Sequence, residues 1–498
     1  MTLDAKRRAC LRALACAGLA WPLAGRAASA EQAWASSFAP YAGPLNARFP
    51  GVIEADAPRI EGRLPAALRG TLYRNGPARM RLGDTAYAHW FDGDGMVQAF
   101  RLADGKASHR GVLLRTPKLA EEEAAGRFLY PGFGTRFADG APVRNPDAIN
   151  VANINLLPLR GGRELYALWE GGSALRIDPD TLAAQGFKAW SPETAGAPFS
   201  AHPRVAPDGT VWNFGYLAGS GKLIVYEIAP DGRLRRQALL DAPQADMVHD
   251  FAVTERYLVF LLMPLAFERT MAATMLDGYR WHADAPLIAL AVDKRDWSLR
   301  RFELPNGGVF HLGNAWEEGG TVRLAYVRQA DILREMRDMR IGNGTPADAR
   351  AASDWTEVEL DLAAGRARQH SLDLEDVEFP CFDARRTGLK STVALLLQRS
   401  AAMPRAVPGM DTVLALRDGR VERYAYGSEW IAEEHLLVPR PGGRRETDAW
   451  IVGTAYNWKE ERTTLSVFEC DALAHGPVAR VHLPYGLPLG LHGQFVAG

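Results

Sequence analysis

Residues 309–320 read VFHLGNAWEEGG, an apolar run that carries His311 into a turn. Leu or Phe would pack better there, so the imidazole needs a reason. A single histidine of this kind is ordinarily a core residue hydrogen-bonded to backbone. Three more of the eleven histidines share the setting: His202 in FSAHPRVAPDG, His249 in DMVHDFAVTERYLVF and His492 in LPLGLHGQF. Each stands where an apolar strand meets a turn or another strand. The steps between them are 47, 62 and 181 residues. Positions so far apart meet only in a fold that gathers strand ends around one point. Four imidazoles without a thiolate suit a borderline metal such as iron, copper, nickel or zinc. A structural zinc site would close at four ligands, usually with cysteines at short spacing. The long spacing favours a catalytic centre built on a scaffold. Neutral ligands would leave an Fe(II) ion its full charge, and an octahedral preference would leave two positions open for dioxygen, or for dioxygen and water.

Metal-bound histidines usually donate their second ring N–H to an acceptor. Glu170 in ELYALWEGG, Glu378 in EDVEFPCFD and Glu434 at the head of EHLLVPRPG are carboxylates in apolar surroundings, where a solvated charge is not expected. Each alone is an ordinary strand-end carboxylate. Beside four histidines they become candidates for orienting the imidazoles. No Ser-His-Asp or paired-carboxylate pattern offers another chemistry.

The elements that must position these residues are short. Asp-Gly and related turn signals recur in LADGKA, IDPDTL, APDGTV, APDGRL, DLAAGRA and LRDGRV, where Gly tolerates positive φ and Asp bonds its own backbone. Between turns lie β-rich runs such as TVWNFGYL, KLIVYEIA, YLVFLLMPL and AWIVGTAYN, each the length of a strand. The rhythm runs from about residue 50 to the C-terminus without a linker. At roughly 40–50 residues per four-stranded blade, the length suits an all-β propeller of seven blades, though no crisp repeat fixes the count. A propeller also answers the histidine question, because every blade offers its innermost strand to the axis. One helix is expected in RQADILREMRDMR, where Ile332, Leu333, Met336 and Met339 recur at helical spacing. It would lie over the β body as an insertion.

Lys+Arg 58 against Asp+Glu 59 leaves no basic excess, so no nucleic-acid footprint is expected. The first thirty residues differ in kind. Lys6-Arg7-Arg8 precedes an apolar run from Leu11 to Leu23, and Ala28-Ser29-Ala30 offers a cleavage site. The segment resembles a twin-arginine export signal, with an ordinary secretory signal or an uncleaved anchor as the alternatives, so residues 1–30 are expected to be a leader to the periplasm and 31–498 a single domain. Cys10 and Cys16 fall in that leader. Cys381 and Cys470 remain, too few for a disulfide framework or a cysteine zinc site, and two free buried thiols are expected.

The ordered pieces HWFDGDGMVQAF, LWEGG, AHPRV, MVHDFAVTE, FHLGNAWEE, EFP, LLVPRPG and LGLHGQF resemble the carotenoid cleavage oxygenases, a family that includes retinoid isomerases and stilbene-cleaving dioxygenases. The resemblance covers nearly the whole chain after residue 60. It implies a seven-bladed β-propeller with helical and loop insertions capping one face. It implies one Fe(II) per chain held by His202, His249, His311 and His492, with Glu170, Glu378 and Glu434 behind them. The match is least direct at Glu434, where Glu433 stands next to it. His89 and FDGDGMV are read as structural. The implied reaction is oxidative cleavage of a conjugated C=C bond by O2 to two carbonyl products. Regioselectivity would come from which bond is placed over the iron, and Trp169 and Phe310 would line the tunnel. The implied substrate is a carotenoid or apocarotenoid. The alternatives are a stilbene or phenylpropanoid alkene, a non-enzymatic binding propeller, and a zinc or copper hydrolase. Stilbene cleavers are expected to grip a phenol with a Tyr and a Lys. Lys118 is present, but Leu113-Leu114 stand where a hydroxyl was sought, which tilts the expectation toward carotenoids. The apolar, Met-rich stretch 257–281 is expected either to pack as core or to touch a membrane surface without spanning it.

Overall fold

The computed structural model describes residues 51–269, 274–341, 352–404 and 407–498. Seven antiparallel sheets form a seven-bladed β-propeller. The export segment expected at 1–30 lies outside the described residues. The innermost strands, in ring order, are His492–Ala497, Asn155–Leu159, Arg204–Val205, Ala252–Val253, Gly308–Glu318, Val377–Phe382 and Trp430–Pro439. Two of them are only two residues long, which is why no repeat of uniform length shows in the sequence.

Strands inside the blades are buried on both faces, and this explains their unbroken apolar runs. In Tyr257–Leu262 of the fourth blade, Leu258, Phe260 and Leu262 pack toward Phe214, Leu223 and Val225 of the third blade. The alternating Val259 and Leu261 pack toward Val309, Leu312 and Leu324 of the fifth. Successive side chains point to opposite faces, so one strand serves two interfaces. Complete burial of such a side chain contributes about 1.5–3 kcal/mol. The first part of 257–281 is therefore core. Among the described residues the exposed large hydrophobics are Val52, Val205 and Leu299, none of them in that stretch.

The outer hairpins are closed by the expected turns. Asp104-Gly105 and Asp418-Gly419 both have positive φ at each residue and join Ala103 to Lys106 and Arg417 to Arg420 across two-residue loops, the type I′ geometry that matches strand twist.

Both ends of the described residues close the ring. The last strand pairs inside the first blade, from Gly70 opposite Ala497 to Asn75 opposite His492. Val52–Ala55 forms the outer edge of that blade, and Arg59–Gly62 forms the outer edge of the seventh. The C-terminal strand thus ties the ring shut and sets the height of His492 on the axis.

Two α-helices among the described residues stand outside the blades. Helix α1 (Pro117–Ala125) starts at Thr116, whose hydroxyl caps Leu119 N at 3.1 Å, and ends at Gly126 in the left-handed region. The Thr-Pro start and Gly stop signal this helix in the sequence. Helix α2 (Ile332–Asp338) is capped by Asp331. It is shorter than the stretch 328–340 suggests, because Arg328 and Gln329 still belong to the fifth blade. Both dock on the segment around HWFDGDG. His89 Nε2–H donates to Met336 O of α2 at 2.8 Å, while its Nδ1 accepts from Phe91 N at 3.1 Å, so His89 is a structural staple. Asp92, also buried, accepts from Thr135 Oγ1 at 2.5 Å and from Phe133 N, anchoring the loop beyond α1. Cys381 and Cys470 are free. No helix among the described residues is long and apolar enough to cross a membrane.

Candidate metal centre

Six of the seven blades contribute an inner-strand or strand-head residue to the axis, and the second contributes Glu170 from the turn after its second strand, Glu164–Leu168. His492, His202, His249 and His311 come from the first, third, fourth and fifth blades. Glu378 and Glu434 come from the sixth and seventh. All four histidines are buried, and one ring nitrogen of each lies within 4.8 Å of the others. The Nε2 atoms are 3.0 Å apart for His202 and His249, 3.2 Å for His249 and His311, and 3.1 Å for His311 and His492.

The other ring nitrogen explains why Nε2 faces inward. His311 Nδ1–H donates to Glu378 Oε2 at 2.5 Å and His492 Nδ1–H to Glu434 Oε1 at 3.0 Å. His249 Nδ1–H donates to Glu170. Each carboxylate is itself held. Tyr216 O–H donates to Glu170 at 3.3 Å, Phe379 N–H to Glu378, and Gly493 N–H to Glu434 at 2.8 Å. His202 has no carboxylate partner among the described residues; its backbone N–H donates to Ser200 Oγ at 3.1 Å. A donated Nδ1–H fixes the tautomer and leaves a lone pair on Nε2.

Charge follows the same logic. Burial, then the three facing imidazoles, hold His202 far below the usual imidazole range. Burial also lowers His492, despite the pull of Glu434. At His311 burial acts downward, but Glu378 outweighs it and the ring sits above the usual value. Burial would raise Glu378 and Glu434, yet their imidazole partners hold both below the ordinary carboxylate range.

The donor set fits a metal ion. Two nitrogens bonded to one ion at about 2.1 Å lie roughly 3.0 Å apart at a right angle and about 3.4 Å apart at the tetrahedral angle. Separations of 3.0, 3.2 and 3.1 Å fall within that range, so the four nitrogens could be held by one metal ion.

Aromatic rings flank the cluster. Phe310 meets the His249 ring edge-on at 5.4 Å, and Phe379 lies 5.4 Å from both His311 and His492. Phe91 continues the wall from Phe310 at 6.4 Å toward the cap. The structure thus places Phe310 beside the cluster. Trp169, next to Glu170, lies against Gly171 and Gly172, which lack the Cβ that would collide with its indole. Phe379 was not singled out from the sequence, although its place in EFP, next to Glu378, was a signal. Glu434 rather than Glu433 faces His492; Glu433 instead pairs with buried Arg74 at 3.5 Å. Lys118 Nζ donates to Tyr87 Oη, and Leu113 and Leu114 are buried.

The family description "Retinal pigment epithelial membrane protein" matches residues 48–497. The chain is 30% identical over 458 residues to apocarotenoid-15,15'-oxygenase of Synechocystis sp., covering 88% of this chain and 92% of the relative. It is 29% identical to lignostilbene-alpha,beta-dioxygenase isozyme III of Sphingomonas paucimobilis, covering 88% and 92%. The crystal structure of cobalt-substituted Synechocystis apocarotenoid oxygenase superposes with a TM-score of 0.82 at 26% identity, covering 93% of this chain and 99% of that one.

Proposed function

The chain belongs to the carotenoid cleavage oxygenase family, and from that premise we propose that it is an Fe(II)-dependent dioxygenase cleaving a conjugated C=C bond of a carotenoid or apocarotenoid. The observation that carries this reading is the convergence of four imidazole Nε2 atoms, three of them backed by buried carboxylates. Bound iron would supply a site at which O2 is activated for scission of the alkene. The bookkeeping is simple: the C=C bond and the O–O bond break, and each carbon leaves as a carbonyl carrying one oxygen.

The chain's own groups bind, orient and exclude water. His202, His249, His311 and His492 would hold the ion through their Nε2 atoms. Glu170, Glu378 and Glu434 keep those rings from turning. Phe310, Phe379 and Phe91 offer apolar faces against which a polyene can lie, and their placement decides which double bond comes to the centre. No side chain has to transfer a proton in this reaction, because the bonds broken and formed are between carbon and oxygen atoms. The apocarotenoid relative at 30% identity supports the substrate class.

A stilbene or phenylpropanoid alkene is the second reading, favoured by Tyr87 beside Lys118 and by the lignostilbene relative. Against it, the Lys118 ammonium has three N–H donors, and all three are engaged, by Tyr87, by Asp94 at 2.9 Å and by Glu122 at 2.7 Å. None is left for a phenol.

The deciding experiment incubates the iron-loaded enzyme with carotenoids, apocarotenoids and hydroxystilbenes under 18O2, with aldehydes identified by mass spectrometry. Labelled apocarotenoid aldehydes support the proposal. Labelled benzaldehydes alone would move it to the second reading, and no product from any substrate would leave a binding propeller. Export rests on the leader-like residues 1–30 and is tested by the N-terminus of protein from a periplasmic fraction. Contact with a lipid surface rests on where polyenes reside, and vesicle co-sedimentation tests it.

A further inference from the structure

Four lone pairs aimed at one point repel each other until an ion neutralises them, so something must hold the strands that carry them. We propose that Arg204 and Asp250 are positioning residues for the metal centre, a clamp that fixes three of the four histidine-bearing segments; the proposal rests on the metal reading above. Arg204 follows His202 by two residues, Asp250 follows His249 by one, and Leu312 follows His311 by one. Asp250 accepts from Arg204 Nη2 through both oxygens, at 2.9 and 2.7 Å, from Phe251 N at 2.7 Å and from Leu312 N at 2.8 Å. Arg204 Nη2 also donates to Leu312 O at 2.9 Å, and its Nε to Phe251 O at 2.9 Å. One ion pair thus bonds the main chain beside His249 and His311 to the side chain two residues past His202.

The guanidinium reaches one blade further. Its carbon lies 5.5 Å from the centre of the Phe382 ring, on the strand that carries Glu378. Arg204 of the third blade therefore also touches the sixth. The planar fork suits this role, because a lysine ammonium cannot address a carboxylate and two carbonyls in fixed directions. Asp250 is almost fully buried, with 2% of its side chain exposed, so the pair is shielded from solvent screening. The fourth ligand has a separate anchor: Arg74 Nη1 donates to Glu434 O at 2.9 Å, and Glu433 accepts from Gly490 N, two residues before His492.

The test uses the full chain stripped by chelator and titrated with Co(II), read by visible absorption, with circular dichroism for the fold. Outer partners of metal ligands are typically worth 10–100-fold in affinity. Asp250→Asn and Arg204→Lys are expected to weaken Co(II) binding by at least about 10-fold with the β signature intact. Asp293→Asn is the matched control. Asp293 is equally buried and bonded to Arg256 at 2.7 Å, at the far end of a fourth-blade strand, and its loss should leave Co(II) affinity unchanged. Binding within twofold of wild type in both clamp variants would overturn the proposal. So would loss of the fold in both while Asp293→Asn folds, because the pair would then be a general staple. A wild-type chain that takes up no cobalt would refute the metal centre itself, and the clamp with it.

Discussion

Replacing Glu378 by Gln removes the charge behind His311 while keeping the side chain's shape. The His311–Glu378 contact is 2.5 Å long, and both side chains are about nine-tenths buried. A hydrogen bond to a charged group contributes about 1.5–3 kcal/mol. At 1.4 kcal/mol per decade, that converts to about 10- to 150-fold in metal affinity. Glu434 is as buried, but its bond to His492 is longer, 3.0 Å. Glu170 is the most exposed of the three, at 17%, so solvent screens it most. The expected order of loss is Glu378→Gln, then Glu434→Gln, then Glu170→Gln. The assay is competition between each variant and a chelator of known affinity for Fe(II) under anaerobic conditions. Equal affinities in all three variants and wild type would refute the reasoning that carboxylates hold the imidazoles for the ion.

Acidification should destabilise the fold. Burial holds His89 and His435 at about 4 and His109 at about 3. The unfolded chain takes up these protons below about 6.5, so the stability of the neutral rings is complete above that value and lost as pH falls toward 4. Buried Asp92, raised to about 6, and the raised Asp94 and His311 oppose this, while His202 and His492, held low, add to it; urea denaturation at pH 7 and pH 5 should show the drop, blunted in His109→Gln. Lys118→Met should strand Asp94 and Glu122 as unpaired buried charges, at a cost of about 3–5 kcal/mol, read by urea denaturation. Unchanged stability with selective loss of hydroxystilbene turnover would instead assign Lys118 to substrate.

Much of the centre was legible because metal chemistry restricts residue types. An imidazole at the end of an apolar run has few competing explanations once four of them share it, and Glu170, Glu378 and Glu434 stood out as charges among apolar neighbours. The resemblance supplied the blade count that periodicity did not, since inner strands such as Arg204–Val205 are too short to leave a pattern. What stayed hidden depends on distant pairing. The ring closure joins residues 59–62 and 70–75 to the C-terminal strands, and no local signal announces it. The Arg204–Asp250 pair bridges 46 residues, although a charged residue just past each of two histidines in AHPRV and MVHDF was a signal.

Metal analysis of anaerobically purified protein bears most directly on the centre. About one iron per chain is expected for the wild type, and none for His311→Ala with its β signature intact. Zinc in place of iron in the wild type, or iron retained at full occupancy and activity in His311→Ala, would contradict a four-histidine ferrous site.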